Sequence, residues 1–133
     1  MVGRIVNEKL GALDWALDRD LWGLASAYVP VWAYTGQLAE SWEMPDDTTF
    51  IFHIRKGVRW HNKAPMNGRE FTAYDAEFNY HRYLGNTLTG TQFSEADPSP
   101  GGGPLGALPF ESVTATDKYT VVFKLERPSF SAL

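Results

Sequence analysis

The chain has 133 residues, 44% of them apolar and 21% charged, a composition that fits one globular domain and lies far from the disordered class. Twelve Lys and Arg against sixteen Asp and Glu leave a net charge of −4, so the whole chain lacks the basic footprint of a phosphate-backbone binder. It has no cysteine, which excludes disulfides, thiolate zinc sites and cysteine nucleophiles, and no run near the ~20 apolar residues that span a bilayer.

Residues Met1 to Lys9 carry no apolar core of signal-peptide type. Leu10, Leu13 and Leu17, with Ala16 beside them, share one face at helical spacing. Asp20 is the expected cap of a second short helix whose buried face is Leu21, Leu24, Ala25, Tyr28 and Val29, ended by Pro30. From Gln37 the period changes to two. Glu40, Trp42 and Met44 alternate, Pro45-Asp46-Asp47-Thr48 reads as a turn, and Phe50, Phe52 and Ile54 occupy one face of a strand from Thr49 to Arg55. Val58 and Trp60 belong to a short third extended piece, and Asn62 to Gly68 form a loop.

A helix is predicted from Thr72 to Leu84. Thr72 is the N-cap, Asp75 completes an Asp variant of the capping box, and Phe71 and Ala76 hold the hydrophobic-staple positions. Its apolar stripe is Ala76, Tyr80, Tyr83 and Leu84, flanked by Phe78, with Gly85 as the C-terminal cap. Phe50, Phe52 and Ile54 are expected to pack on this helix, with Tyr80 in contact. Residues 86–109 read as irregular, and 98–106, with Gly101-Gly102-Gly103, as the most mobile internal stretch. Phe110 to Thr116 and Tyr119 to Leu125 form a second hairpin around Thr116-Asp117-Lys118. Tyr119, Val121, Phe123 and Leu125 share one face, opposite Val113 and Ala115.

Chemical motifs are sparse. His53, His61 and His81 show neither HExxH nor an i, i+4 helical pair, so each reads as a solvated or core-edge histidine. No GxSxG elbow marks a nucleophilic serine. Glu40, Glu43, Asp46 and Asp47 cluster around a turn, where solvated carboxylates are ordinary. The three-glycine run has neither the lysine nor the strand-to-helix setting of a phosphate cradle. Arg55, Lys56 and Arg59 interleave with Trp60 and His61 as a single-strand stacking site requires, but the net acidic chain argues against nucleic acid. Trp15, Trp22, Trp32, Trp42 and Trp60 are read as core anchors, with exposed contact residues as the alternative. The residues alone point to an α+β domain that binds rather than catalyses.

One stretch carries more. Leu38-Ala39-Glu40-Ser41-Trp42-Glu43, the Asp46-Asp47 turn, the strand Thr49 to His61 with its Arg55-Lys56-Gly57-Val58-Arg59-Trp60-His61 end, and Pro65 through Thr72-Ala73-Tyr74-Asp75-Ala76 strongly resemble the extracellular solute-binding proteins of family 5. These are the oligopeptide, dipeptide and nickel-binding receptors of ABC importers. Val113 to Leu125 looks like the family's V-x-A-x-D-x-x-T-V-x-[FV]-x-L segment, and the likeness covers roughly residues 36–130. Two departures stand out: the usual H-D-G-x-P becomes His61-Asn62-Lys63-Ala64-Pro65, and Asn67-Gly68-Arg69-Glu70 is inserted before the T-A-x-D.

The resemblance implies antiparallel β-hairpins packed on helices, part of a type II periplasmic-binding-protein-like, peptide-binding fold. It implies a fragment of a longer receptor: residues 1–35 an approach segment, partly helical, and 36–133 the region like the smaller domain beside the N-terminal lobe, incomplete at its C-terminus. Ser129 to Leu133 read as the opening of a helix. The implied function is a non-enzymatic transport receptor, periplasmic or anchored at the cell surface. Its partners are a peptide-like solute, ABC permease subunits and the remaining lobes of the receptor, with no nucleic acid and no cofactor. No ligand-contact, catalytic or metal residue transfers onto a motif position. The rival expectations are a stand-alone carbohydrate or peptide module using exposed tryptophans, and an enzyme with a carboxylate pair.

Overall fold

The computed structural model describes residues 8–22, 31–84 and 110–129. Strands β1 (Gly11–Leu13) and β2 (Tyr34–Gly36) pair antiparallel as a small sheet, with a 3-10 turn, Val31–Ala33, leading into β2. Strands β3 (Ala39–Asp46), β4 (Thr49–Ile54), β5 (Phe110–Asp117) and β6 (Thr120–Leu125) form an antiparallel sheet in the order β3-β4-β6-β5. The helix α1 (Ala73–Leu84) covers one face. The expected α+β class and both hairpins are therefore present.

Period two explains the main sheet. Phe50 and Ile54 on β4, Val121, Phe123 and Leu125 on β6 and Val113 on β5 all point to the helix side and are buried. Phe50 pairs with Phe123 across the β4–β6 ladder and Val113 with Phe123 across β5–β6. Phe71, Ala73 and Ala76 close the cluster from the helix start. Tyr80 meets the Phe123 ring edge-on at 4.6 Å, and Phe52 does the same at 5.3 Å. Two expectations need correction. Phe52 is half-buried, and α1 packs chiefly against β5 and β6 rather than over the first hairpin. The reason is strand order. β6 lies between β4 and β5, so a helix tethered to the β5–β6 turn sits over that pair, and Phe123, not Phe52, becomes the centre.

The turns follow short polar side chains. The Asp46 carboxylate accepts from the Thr48 amide at 2.8 Å and its hydroxyl at 2.7 Å, which narrows the first turn to Asp47-Thr48. Pro45 lies inside β3, within a register shift between Glu43 and Asp46 that also leaves Met44 exposed. The second hairpin turns one residue later than expected, at Lys118-Tyr119. In the loop before α1, Asn67 and Gly68 have φ of 49° and 69°, and the Arg69 amide reaches the Met66 carbonyl at 3.0 Å. Asn-Gly suits such a turn, since both central residues need positive φ.

The leucine-spaced start of the chain is not helical. Leu13 pairs with Tyr34 in β1–β2, and two aspartates divert the backbone beyond it. Asp14 accepts from the Ala16 amide and Asp18 from the Asp20 amide, each at 2.9 Å. These Asx turns offer the amides a local acceptor and so compete with helix. Asp18, not Asp20, then takes the Leu21 amide at 3.1 Å on its carbonyl. The expected helical face through Val29, and the whole irregular stretch including 98–106, lie outside the described residues, as do Gly85 and the side chains of Tyr83 and Leu84. None of the five tryptophans is buried: Trp15 is 75% and Trp32 59% exposed, Trp60 is 37% exposed, and Trp22 and Trp42 are half-buried. The core is instead built of phenylalanine and branched aliphatic residues.

Candidate functional site

The motif residues from Arg55 to Asp75 and the β5–β6 turn converge at one end of the main sheet. There the chain leaves β4 through Arg55-Lys56-Gly57 and runs as a short extended piece. Arg59 bridges Glu70, the Trp60 amide reaches the Arg69 carbonyl at 3.0 Å, and the Phe71 amide reaches the Val58 carbonyl at 2.8 Å. The β5–β6 turn arrives at the same end, where the Ala73 amide donates to the Lys118 carbonyl at 2.9 Å.

Glu70 ties these pieces together. Its Oε1 accepts from the Gly57 amide at 2.9 Å and the Tyr119 hydroxyl at 3.1 Å, and its Oε2 takes the Lys118 ammonium at 2.7 Å. The Lys118 bond, then the Gly57 amide, hold the Glu70 carboxyl down at about 2, and Lys118 is raised in return. Such a carboxylate is a fixed acceptor and a poor proton shuttle at neutral pH.

A second cluster starts the helix. Asp75 Oδ2 accepts from the Thr72 amide at 2.9 Å and from the Thr72 hydroxyl at 3.2 Å, so the carboxylate half of the capping box is formed. Both oxygens also meet the Arg69 guanidinium in a bidentate pair. Burial pushes the Asp75 carboxyl up, but Arg69 and Thr72 outweigh it and the net shift is downward. Trp60 packs on Phe71 with centroids 5.7 Å apart, and the Arg69 guanidinium stands 5.9 Å over the Trp60 ring.

The other candidates remain apart. Glu40, Glu43, Asp46 and Asp47 are all exposed, but Asp46 and Asp47 lie at the opposite turn, Glu40 lies at the start of β3 beside the β4 exit, and Glu43 between them pairs with His53 at 2.7 Å. His81 donates to the Val113 carbonyl at 2.7 Å at the edge of the core, and His61 is exposed in its loop. Among the described residues no three His, Cys, Asp or Glu gather as metal ligands. The Glu70–Lys118 tie was not singled out from sequence, since its partners are 48 residues apart. The available signal was that both sit inside the two family-like segments.

These same segments decide the comparison with known proteins. The family described as bacterial extracellular solute-binding proteins, family 5 Middle, matches residues 33–133. The chain belongs to this family. Its likeness to the dipeptide-binding protein of Escherichia coli is 49% identity over 47 residues, 34% of this chain and 9% of that protein. A dipeptide-binding protein from Pseudoalteromonas, solved with Met-Leu, superposes with a TM-score of 0.58 at 26% identity, covering 76% of this chain and 20% of that one. An ABC transporter-associated periplasmic binding protein of Helicobacter pylori, solved with the peptide STSA, gives 0.52 at 30% identity, covering 71% and 19%. The chain thus spans about a fifth of its structural neighbours' length. Family membership accounts for a motif whose charged groups serve the scaffold: Glu70, Arg69 and Asp75 join loop, helix and hairpin.

Proposed function

We propose that the chain is part of the substrate-binding receptor of an ABC-type importer for peptides or similar solutes, acting without catalysis in the periplasm or at the cell surface. The match over residues 33–133 carries this reading. It is supported by carboxylates clamped as structural acceptors rather than paired across a cleft. Residues 36–133 then form a scaffold beside the solute site, residues 1–35 lead into it, and permease subunits and the rest of the receptor are its partners. Ligand between lobes is gripped from several sides, so this region alone offers at most one wall.

The exposed Trp15 and Trp32 favour a second reading, a stand-alone module that binds sugars or peptides on aromatic rings. Calorimetry separates the two. The 133-residue chain is expected to show no saturable binding of di- to pentapeptides or oligosaccharides, while the receptor from the complete reading frame binds a peptide-like solute. Micromolar binding by the chain alone overturns the receptor-segment reading in favour of the module.

A further inference from the structure

The net charge of −4 conceals a local excess of cations. Residues 55–69 hold five of the twelve cations, Arg55, Lys56, Arg59, Lys63 and Arg69, and none of the sixteen carboxylates. All five are exposed at the end of the sheet where β4 exits. Arg69 is matched by Asp75. The other four have no carboxylate partner among the described residues. Arg55 and Arg59 donate to the backbone carbonyls of Gln37 and Gly68, at 3.1 and 3.0 Å, which orients them without cancelling charge. Lys56 lies 5.4 Å over the Tyr119 ring. Lys63 and His61 are exposed in the loop that the Gly68 amide closes onto the His61 carbonyl. Carboxylates lie at both ends: at this one Glu70 and Asp75 are matched by Lys118 and Arg69 and are joined by Glu40 and Asp117, while Asp46, Asp47 and Glu126 lie at the other end of a six-residue strand. This second group is ~20 Å away, beyond the ~10 Å over which exposed charges act at ordinary salt, so the near end keeps a positive balance of Arg55, Lys56, Arg59 and Lys63 over Glu40 and Asp117.

The cations come from the β4 exit, the short extended piece and the loop that follows it. Exposed cations spread over fifteen residues of chain suit an extended anionic surface. Trp60 sits among the cations and is 37% exposed, Pro65 in the following loop is exposed, and Met66 is half-buried. Phe71 and the Arg69 guanidinium already occupy ring surface that a stacked nucleobase needs, which disfavours single-stranded nucleic acid. Clustered Lys and Arg around an interfacial Trp match a phospholipid headgroup layer. We propose that the Arg55–Arg69 end of the sheet docks peripherally on an anionic lipid surface. This proposal stands independently of the solute reading.

Co-sedimentation of the 133-residue chain with vesicles tests it. The chain is expected to pellet with phosphatidylglycerol vesicles, to stay in solution with phosphatidylcholine vesicles, and to be released as salt rises from ~0.1 to ~0.5 M. Each uncompensated lysine is worth about a fivefold change in partitioning, so the double variant Lys56→Gln/Lys63→Gln should bind ~25-fold more weakly. Lys124→Gln, at the other end, should bind like the parent chain. Both variants replace exposed side chains, and unchanged circular dichroism confirms that each is folded. Failure to bind phosphatidylglycerol, equal binding to phosphatidylcholine, or an unweakened double variant overturns the proposal. Tighter binding to poly-glutamate or to a single-stranded oligonucleotide than to the vesicles also overturns it, and assigns the surface to an acidic protein or to nucleic acid.

Discussion

The four-stranded sheet buries Phe50, Ile54, Val113, Val121, Phe123 and Leu125 beneath one helix, while the β1–β2 pair runs three residues a strand and is flanked in the chain by the exposed Trp15 and Trp32. Both are regular antiparallel ladders. They differ in what covers them. A ribbon of two strands has no face large enough to exclude water, whereas a sheet with a second layer does. The small pair is tied to the main sheet by backbone bonds and two leucines: the Gln37 and Ala39 amides both donate to the Leu10 carbonyl at 3.0 Å, the Leu38 amide donates to Lys9 at 2.9 Å, and the Leu10 and Leu38 side chains pack against the core. Stability in this chain therefore resides in the helix-covered sheet, and the β1–β2 pair depends on it.

The strongest way to break that contrast is Phe123→Ala. Phe123 touches Phe52, Tyr80 and Phe110 as rings, and its truncation should cost ~3–5 kcal/mol in urea unfolding. A loss below about 1 kcal/mol would mean that the sheet is not the core.

Acid should act next, at the motif end of the same sheet. Glu70 is held at about 2 against an ordinary 4.5, so its contribution is complete above about pH 4.5 and is lost as pH falls toward 2. Asp46, Asp75 and Asp117 are shifted in the same direction and add to the fall. Thermal unfolding should therefore shift downward between about pH 5 and about pH 2, and Glu70→Gln should flatten that slope. An identical slope in the variant would show that Glu70 is not the tie.

Gly36→Ala probes the join between the two regions. A Cβ at Gly36 would overlap the Ala39 carbonyl, so the backbone must move, at ~1–3 kcal/mol. A neutral result in thermal unfolding would show that the β1–β2 pair adjusts freely. Thr72→Ala, which removes the hydroxyl bonded to Asp75, should cost ~1 kcal/mol and be read as earlier helix loss by circular dichroism. Trp15→Ala and Trp32→Ala should each change stability by no more than ~0.5 kcal/mol. A larger loss in denaturant titration would make the β1–β2 pair part of the core.

Much of this was legible in sequence because its causes are local. Strict alternation at Phe50, Phe52 and Ile54 and at Val121, Phe123 and Leu125 determines which faces are apolar, since side chains alternate along any strand. Thr72 and Asp75 announce the helix start for the same reason: the cap needs only residues three apart. The likeness to family 5 came from these same contiguous segments. Leucine spacing at Leu10, Leu13 and Leu17 misled, because Asx turns at Asp14 and Asp18 and the pairing with β2 competed successfully with helix. The strand order β3-β4-β6-β5, which makes Phe123 the centre, the Glu70–Lys118 tie and the exposure of the tryptophans were decided only by tertiary structure. Each depends on which distant segments meet, and a one-dimensional pattern records the preference of a face without recording the partner that covers it.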